Sequence, residues 1–235
     1  MEKIISQGLE AMGIPAAPEQ IRTMAEYGAL LLRANETTNL TAIREPDAAA
    51  RLHFLDSAAL LTVADLAGDE AVADVGSGAG FPGVPLRILR PRIRLTCLDS
   101  VGKKMDFVRE SCAALGMEDV RCLWGRAEEM PQLRESFDVA VSRAVAELHL
   151  LAELCLPLVK VGGLFLAMKN PDCDQETARG DFAVRTMGGR VREIRRYAIP
   201  GTDVTHGVVV IEKVKPTPAQ YPRRWAQIKK KPLLG

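Results

Sequence analysis

Residues 74–83, with the sequence DVGSGAGFPG, constrain the fold of this chain more than any other stretch. Three glycines at alternate positions, Gly76, Gly78 and Gly80, allow the backbone to turn sharply and to approach a ligand without an intervening Cβ. A short apolar run precedes the glycines, and Pro82 suits the first turn of a helix that follows them. A strand, a glycine-rich turn and a helix in this order predict an α/β sheet with a ligand-binding turn.

The rest of the central sequence fits that interpretation, because short apolar runs alternate with stretches of helical spacing. The runs cover residues 71–75, 94–98, 120–124, 137–141 and 164–168. Buried parallel strands have this composition. Between the second and third runs, Met105, Val108 and Cys112 recur at helical spacing, and Gly116 can end that helix. The alternation predicts a doubly wound, mostly parallel α/β sheet.

The two ends of the chain have different patterns and suggest three parts. Residues 1–66 show three helical faces and no strand pattern, which predicts a helical extension before a sheet domain at 67–214. Within that domain, residues 190–198 and 207–214 flank a turn-rich segment and are expected to form an antiparallel hairpin. Residues 215–235 carry prolines and a basic run with little periodicity, so we expect a basic tail that is mobile unless it is bound.

Composition excludes several classes of protein. The 235 residues are 47% hydrophobic, and 31 Lys+Arg against 30 Asp+Glu give a net charge of +1, which is typical of a globular protein. The apolar runs are too short for a membrane span and the N-terminus lacks a secretory pattern, so we expect a cytoplasmic protein. Five cysteines without CxxC spacing predict reduced core residues. No cluster has metal-ligand spacing, so we expect no metal.

The glycine turn suits two classes of cofactor, and its register relative to the strand distinguishes them. Residues 78–83 also spell the dinucleotide fingerprint GxGxxG, whose first glycine should end the strand. The strand ends earlier, at Val75, which argues against an NAD-dependent oxidoreductase. Asp74 suits a ligand with a cationic amino group and a sulfonium, and S-adenosylmethionine fits both features. Its candidate contacts in the loop are Asp74, Gly76, Ser77, Gly78, Gly80 and Phe81.

Two later positions add to the same predicted site. Asp99 closes the second strand about twenty residues beyond the loop, where an acid can accept hydrogen bonds from both ribose hydroxyls. Residues 125–129 follow the third strand, where an adenine would lie in such a fold. Ala127 and Glu128 are therefore candidates for contact with the adenine edge.

Taken together, these residues resemble a known family, the bacterial 16S ribosomal RNA guanine-N7 methyltransferases of the glucose-inhibited division protein B type (GidB/RsmG). The resemblance covers roughly residues 20 to 215 of the chain. It is carried by Asn39-Leu40-Thr41, His53-Phe54-Leu55-Asp56-Ser57, the glycine loop, Leu98-Asp99-Ser100, Gly102-Lys103-Lys104, Gly125-Arg126-Ala127-Glu128, Ser142-Arg143-Ala144 and Lys169.

The resemblance implies a fold, an activity and a set of contacts. The implied fold is a Rossmann-like class I S-adenosylmethionine-dependent methyltransferase with a seven-stranded sheet. The implied activity is methylation of N7 of a guanine in the decoding region of 16S rRNA, with an assembled small ribosomal subunit as the expected substrate of a monomer. The implied cofactor contacts are Gly76, Phe81, Ala127, Glu128 and Arg143.

Guanine N7 carries a lone pair and no proton, so its methylation requires positioning and no general base. Positioning alone can lower a barrier by at most about 7–11 kcal/mol. Because only 5% of the residues are aromatic, arginines are the better candidates for holding a base or a phosphate. The candidate catalytic residues are Arg143, Arg126, Lys103 and Lys169. His53 and Asp56, three apart on a predicted helix, share a face that could contact the RNA, but we favour a structural pair, and we interpret His206 as structural too.

The basic tail contains Trp225, which is a candidate for stacking on an RNA base. Two alternatives of other kinds remain compatible with the sequence. One is a non-catalytic protein that binds RNA or senses S-adenosylmethionine, because this displacement chemistry leaves no base whose absence would reveal inactivity. The other is a methyltransferase that acts on an acceptor other than RNA.

Overall fold

A computed structural model describes residues 1–66 and 69–234, so the expected boundary at residue 67 falls outside the described residues. Seven strands form one sheet in the order β3-β2-β1-β4-β5-β7-β6. The strands are β1 (Ala71–Val75), β2 (Arg94–Asp99), β3 (Arg121–Trp124), β4 (Phe137–Arg143), β5 (Val159–Lys169), β6 (Gly189–Ala198) and β7 (Thr205–Lys213). In the described part of the chain β7 pairs antiparallel with both β5 and β6, and the other pairings are parallel, which confirms both the mostly parallel sheet and the terminal hairpin.

One strand starts earlier than its apolar run. The sequence places the fifth strand at 164–168, but β5 begins at Val159, which pairs with Phe137 of β4. The glycines that interrupt the apolar run allow two backbones to come together, since a Cβ on Gly163 would lie 2.4 Å from the carbonyl oxygen of Asp138. The pairing register shifts at this point, so the irregularity is part of the strand.

The helices lie on both faces of the sheet. Those before β1 are α1 (Glu2–Ala11), α2 (Pro18–Thr38), α3 (Pro46–Ala49), a π-helical segment (Ala50–Leu55), α4 (Asp56–Ala58) and α5 (Leu60–Val63). Those after β1 are α6 (Gly83–Leu89), α7 (Gly102–Ala114), α8 (Leu148–Cys155), α9 (Asp174–Thr186) and α10 (Trp225–Lys230). The connections β1–β2, β2–β3 and β4–β5 therefore contain α-helices, as in a doubly wound sheet, and the β3–β4 connection contains the short 3-10 helices Ala127–Glu129 and Pro131–Leu133.

The π-helical segment departs from the regular helical spacing expected within residues 1–66. The backbone N–H of Asp56 bonds to the carbonyl oxygen of Arg51, five residues earlier. This wider turn shifts the side chains that follow relative to a regular α-helix. Such segments are frequent at functional sites, and this one contains His53 and precedes Asp56.

The N-terminal helices share a core with the sheet. Alternate side chains of the central strands, such as Val72 and Val141, pack with Ile5, Tyr27 and Phe54 in one buried cluster. The intervening side chains of the same strands face α8 and α9 in a second cluster. The helical extension therefore covers one face of the sheet and contributes side chains directly beneath the glycine loop.

The basic tail, expected to be mobile, is packed against the second face of the sheet. Arg223 holds the buried carboxylate of Glu153, with its backbone N–H and Nε on Oε1 at 2.8 Å and Nη2 on Oε2 at 2.6 Å. Ile228 of α10 is fully buried in the second cluster. The expectation was wrong because these anchors are single residues that meet distant partners, and such contacts leave no periodic pattern.

Cys97, Cys112, Cys155 and Cys173 are buried and Cys122 is partly buried, which places the cysteines in the core as predicted. Among residues 1–66 and 69–234, no group of three or more His, Cys, Asp or Glu side chains has the arrangement of a metal site. No helix in the described part of the chain is long and apolar enough to cross a membrane.

Candidate active site

A cavity of about 560 Å³, the first cavity, opens at the carboxyl ends of β1, β2, β3 and β4. It lies where the chain order of the strands reverses, because β1 has β2 on one side and β4 on the other. Ligands of doubly wound sheets bind at such a point. Its lining includes the predicted residues Gly76, Ser77, Gly78, Phe81, Asp99, Arg126, Ala127, Glu128 and Arg143.

The glycine loop forms one wall of this cavity. Gly76, Gly78 and Gly80 have φ values of 71°, 57° and 86°, a region that other residues avoid. The N–H groups of Gly76 and Ser77 donate to the carbonyl oxygen of Leu98, which ties the loop to β2. Gly80 does not line the cavity and has a packing role, because a Cβ there would lie 2.5 Å from the Tyr27 hydroxyl oxygen.

Asp74 lies beneath the loop and does not line the first cavity. Its fully buried carboxylate accepts a hydrogen bond at Oδ2 from the N–H of Gly83, at 2.7 Å, which fixes the start of α6. Burial raises the pKa of Asp74 to about 7. One oxygen of Asp74 therefore supports the turn, whereas Oδ1 is buried without a hydrogen-bond partner among the described residues, and its contact with the ligand stays a prediction.

Two carboxylates, Asp99 and Glu128, line the cavity. Asp99 accepts hydrogen bonds from the N–H of Gly78 at Oδ2 and of Val101 at Oδ1, each at 2.9 Å. Each of its oxygens keeps a second lone pair for a hydroxyl donor. Within the described residues Glu128 Oε1 is buried without a hydrogen-bond partner, and Arg126 Nη1 lies 4.0 Å away. Burial raises the pKa of Glu128.

Phe81 connects the loop to the helical extension. Its ring stacks on His53, with centroids 4.6 Å apart, and meets Phe54 and Tyr27 edge to face. The guanidinium carbon of Arg143 lies 5.3 Å from the centre of the same ring. Tyr27 donates from its hydroxyl to the carbonyl oxygen of Ala79, at 2.9 Å. Aromatic packing and one hydrogen bond therefore hold the loop on α2.

A second cavity of about 580 Å³ adjoins the first. The two cavities share His53, Arg143, Ala144 and Val145 in their linings. The second is otherwise lined by Leu52, Asp56, Ala146, Glu147, Met168, Lys169, Asn170, Glu176 and His206. The end of β4 thus forms a wall between two adjacent chambers.

Asp56 organises the second cavity. Its buried carboxylate accepts hydrogen bonds from Arg143 Nη1 at 2.9 Å, from the Tyr197 hydroxyl at 2.7 Å and from His206 Nδ1 at 2.7 Å. Although burial opposes its ionisation, bonding from His206 and the charge of Arg143 leave the pKa of Asp56 below its usual value. The carboxylate is therefore charged and connects α4, β4, β6 and β7.

The two histidines near Arg143 differ in protonation. His53 Nδ1 lies 3.2 Å from Arg143 Nη2, and burial together with the Arg143 charge lowers the pKa of His53 to about 4. Bonding to Asp56 raises the pKa of His206 above its ordinary value. At neutral pH the first is a neutral ring that accepts a hydrogen bond from Arg143, and the second is more easily protonated.

The predicted lysines occupy different places. Lys169 lies in the second cavity, where Nζ contacts Glu176 Oε1 at 2.6 Å and the carbonyl oxygen of Ala146. Lys103 is exposed and lines neither cavity, whereas its neighbour Lys104 lines the first. The structure therefore brings Arg143, Arg126 and Lys169 to the two cavities and leaves Lys103 outside them.

Sequence analysis missed two kinds of contact. Trp225, predicted as an RNA contact, lies in the lining of the first cavity with Leu154 of α8. Tyr197 was not considered at all, because a tyrosine on an edge strand gives no signal of its carboxylate partner 141 residues earlier in the chain. The basic residues beside Trp225 signalled a binding role and did not identify the ligand.

Comparison with known proteins identifies the family. The family model for rRNA small subunit methyltransferase G (GidB) matches residues 20–200. A curated protein of that name from Alkaliphilus metalliredigens is 42% identical over 233 residues, covering 98% of each chain. Its counterpart from Deinococcus radiodurans is 44% identical over 225 residues, covering 94% of this chain and 88% of the other.

Solved structures support the fold. TrmN from Thermus thermophilus has a TM-score of 0.54 at 21% identity, covering 68% of this chain and 48% of its own. M. jannaschii TYW2 in complex with AdoMet has a TM-score of 0.51 at 15% identity, covering 63% of this chain and 70% of its own. The sheet is that of class I S-adenosylmethionine-dependent methyltransferases, and the chain belongs to the rRNA small subunit methyltransferase G family.

Proposed function

We propose that this chain transfers a methyl group from S-adenosylmethionine to N7 of a guanine in 16S rRNA. The observation that carries the proposal is the pair of adjacent cavities that share Arg143, His53, Ala144 and Val145. A group-transfer enzyme needs one chamber for the donor and one for the acceptor, in contact at the reacting atoms. The family to which the chain belongs supplies the rRNA substrate.

The residues of the first cavity fit the cofactor. The open backbone at Gly78 suits close approach of a ligand, and the Asp99 oxygens suit a ribose diol. Glu128 has a buried acceptor oxygen without a partner among the described residues, which suits an amino donor such as that of adenine. When bound, S-adenosylmethionine supplies an electrophilic methyl group on a sulfonium. A cavity of about 560 Å³ is in the range of small-molecule sites.

The residues of the second cavity suit a purine acceptor. N7 of guanine needs no deprotonation, so the role of the chain is to hold the base at the wall between the cavities. Arg143 is fixed for that purpose by Asp56 and by the carbonyl oxygen of Leu52, at 3.1 Å. Lys169 adds a second positive charge, partly balanced by Glu176. A fixed guanidinium can stack on a base or bind a phosphate.

The wider substrate is proposed to be an assembled small ribosomal subunit, methylated in the cytoplasm by a monomer of this chain. The exposed residues Arg224, Lys229, Lys230 and Lys231 lie beside Trp225 on the packed tail. This arrangement puts positive charge next to the cofactor cavity. RNA phosphates would bind there with a strong dependence on salt concentration.

The direct test is to incubate the protein with methyl-labelled S-adenosylmethionine and small subunits from cells that lack this enzyme. The RNA is then digested to nucleosides and separated. We expect label in 7-methylguanosine. Naked 16S rRNA is assayed in parallel, and a much lower yield there would support the assembled subunit as the substrate.

Each other result would point to one alternative. Label in a different nucleoside would show that the methyl group is transferred to a different acceptor atom. Cofactor binding by calorimetry without any labelled RNA would favour the binding or sensing protein, and label in ribosomal protein would favour an acceptor other than RNA.

A further inference from the structure

His206 lines the second cavity and has no role in the chemistry proposed so far. Its ring lies on β7, lines the cavity and has 29% of its side chain exposed. Nδ1 lies 2.7 Å from Asp56 Oδ1. A carboxylate can only accept, so Nδ1 carries a proton and donates it to Asp56. Nε2 has no hydrogen-bond partner among the described residues, and it is the free nitrogen of this ring.

Guanine and adenine differ in the exocyclic group on C6, which lies beside N7 on the same edge of the base. Guanine has the O6 acceptor there, and adenine has the N6 amino donor. A donor fixed beside N7 would therefore favour guanine and repel adenine. We propose that His206, positioned by Asp56, selects guanine by donating a hydrogen bond from Nε2 to O6 of the acceptor base. This inference rests on the proposed function.

Other polar groups of the cavity are less suited to this choice. Arg143 is occupied on Nη1 by Asp56 and Leu52 and on Nη2 by His53. Lys169 is held by Glu176 and by the carbonyl oxygen of Ala146. Asn170 is exposed, and its amide can turn to offer either a donor or an acceptor. A protonated His206 can only donate.

The charges around His206 favour the protonated ring. Asp56 of α4 faces it directly and is ionised, and its bonding raises the pKa of His206, while Arg143 of β4 acts in the opposite direction. Tyr197 of β6 stays neutral, because burial raises its pKa far above the usual range. His53 is neutral near pH 7, since its pKa is about 4. Lys169, Glu147 and Glu176 are the remaining titratable groups in the cavity lining.

This arrangement fixes the sign of a pH effect. His206 donates from Nε2 only while it is protonated, so the active form is present below its pKa and is lost as the pH rises through it. The single-turnover rate of methyl transfer should be level at low pH and fall at higher pH. His53 does not contribute to that fall, because it is already neutral throughout this range.

The experiment compares His206→Gln with His149→Gln and the unchanged protein. His149 lies on α8, lines neither cavity and contacts the exposed Glu147 carboxylate at 3.4 Å, so it controls for loss of an imidazole that Asp56 does not hold. Single-turnover rates are measured with saturating S-adenosylmethionine and small subunits over a range of pH. We expect His206→Gln to lose about 10- to 100-fold at low pH, as for a hydrogen bond from a charged donor, and to lose the fall at high pH. His149→Gln should match the unchanged protein.

The preference for guanine over adenine distinguishes a histidine that contacts the base from one that only supports the fold. Once the labelled guanine is mapped, subunits with adenine at that position are assayed beside the natural ones. His206→Gln should lower the ratio of guanine to adenine transfer, because the glutamine amide can turn its oxygen toward an N6 amino group. A purely structural histidine would lower both rates by the same factor, and that result would overturn the proposal.

A measurement on the unchanged protein keeps the test independent of folding. NMR titration of the three histidines should give His206 a pKa above the ordinary value of about 6.5. A His206 pKa well below 6.5 would overturn the proposal, because the ring would be neutral at the working pH. If the unchanged protein forms no 7-methylguanosine, the proposed function fails first, and that outcome is distinct from a failure confined to His206→Gln.

Discussion

The two cavities that meet at Arg143 are built from different parts of the polypeptide. The first is shaped mainly by backbone, because the glycine loop contributes peptide groups and the Asp99 carboxylate is held by N–H donors. The second is shaped by side chains, since Asp56 holds Arg143, Tyr197 and His206 together. Backbone conformation should therefore control the first cavity, and side-chain charge should control the second.

The largest expected effect tests the backbone half of this comparison. Gly78→Val puts a β-branched residue at a φ of 57°, which costs roughly 1–3 kcal/mol, and adds side-chain atoms beside the cavity. We expect cofactor affinity to fall about 100-fold or more, since steric exclusion adds to the strain. Isothermal titration calorimetry with S-adenosylmethionine measures the change directly.

Gly116→Val is the matched control. Gly116 has a φ of 71°, and a Cβ there would meet no atom within 4 Å, as at Gly78, but it follows α7 outside both cavities. It should lower the melting temperature to a similar extent and leave cofactor affinity unchanged. Equal affinities in the two variants would contradict a ligand-binding role for the loop.

The next effect tests the side-chain half. Arg143→Lys keeps the positive charge and loses the fork of donors that reaches Asp56, Leu52 and His53. We expect methyl transfer to subunits to fall by about 100-fold, with a change of only a few-fold in cofactor affinity. Rates are measured in single-turnover assays with labelled cofactor.

Arg87→Lys provides the comparison, because Arg87 forms a two-contact pair with Asp119 away from the cavities, at 3.0 Å to each oxygen. Its transfer rate should remain that of the unchanged protein. If Arg143→Lys lowered cofactor affinity as much as it lowered transfer, Arg143 would belong to the first cavity alone, and the division between the two cavities would fail.

A smaller effect is expected at Trp225, the residue through which the basic tail lines the first cavity. Trp225→Ala removes an aromatic wall while Ile228 and Arg223 keep α10 in place. The affinity for S-adenosylmethionine should fall about tenfold, a typical loss for an aromatic contact with a base. Trp124→Ala is the control, since Trp124 is 70% exposed and does not line the cavity. Equal affinities in these two variants would assign Trp225 to RNA contact alone.

The difference between a first cavity shaped by backbone and a second shaped by side chains also explains which site residues could be predicted from the sequence. The first cavity is assembled from short contiguous motifs at strand ends, so the glycine loop, Asp99 and residues 125–128 could be recognised locally. The hydrogen bonds of the second cavity join residues 87, 141 and 150 positions apart in the chain. No local pattern specifies such pairs. For that reason the sequence favours structural roles for His53, Asp56 and His206 and gives no signal for Tyr197.

Two further features depended on tertiary contacts. The π-helical segment changes the register of a stretch whose apolar spacing reads as an ordinary helix. The tail is held by Arg223 on the buried Glu153, and a single ion pair of this kind has no signature in composition. Asp74 shows a different case, because its place in a motif predicts ligand contact, and the structure adds a bond from Oδ2 to the turn at Gly83 that no motif signals.

The smallest expected effect concerns the surface beyond both cavities. Lys230 is exposed on α10 beside the first cavity, so Lys230→Ala should remove at most one phosphate contact. The slope of log affinity for subunits against log salt concentration should then become shallower by about 1. Lys3→Ala removes the same charge from an exposed position on α1 and should leave the slope unchanged. Filter binding at several salt concentrations measures both slopes. Identical slopes for the two variants would separate the tail from the RNA interface, and Trp225 would then serve the cofactor cavity only.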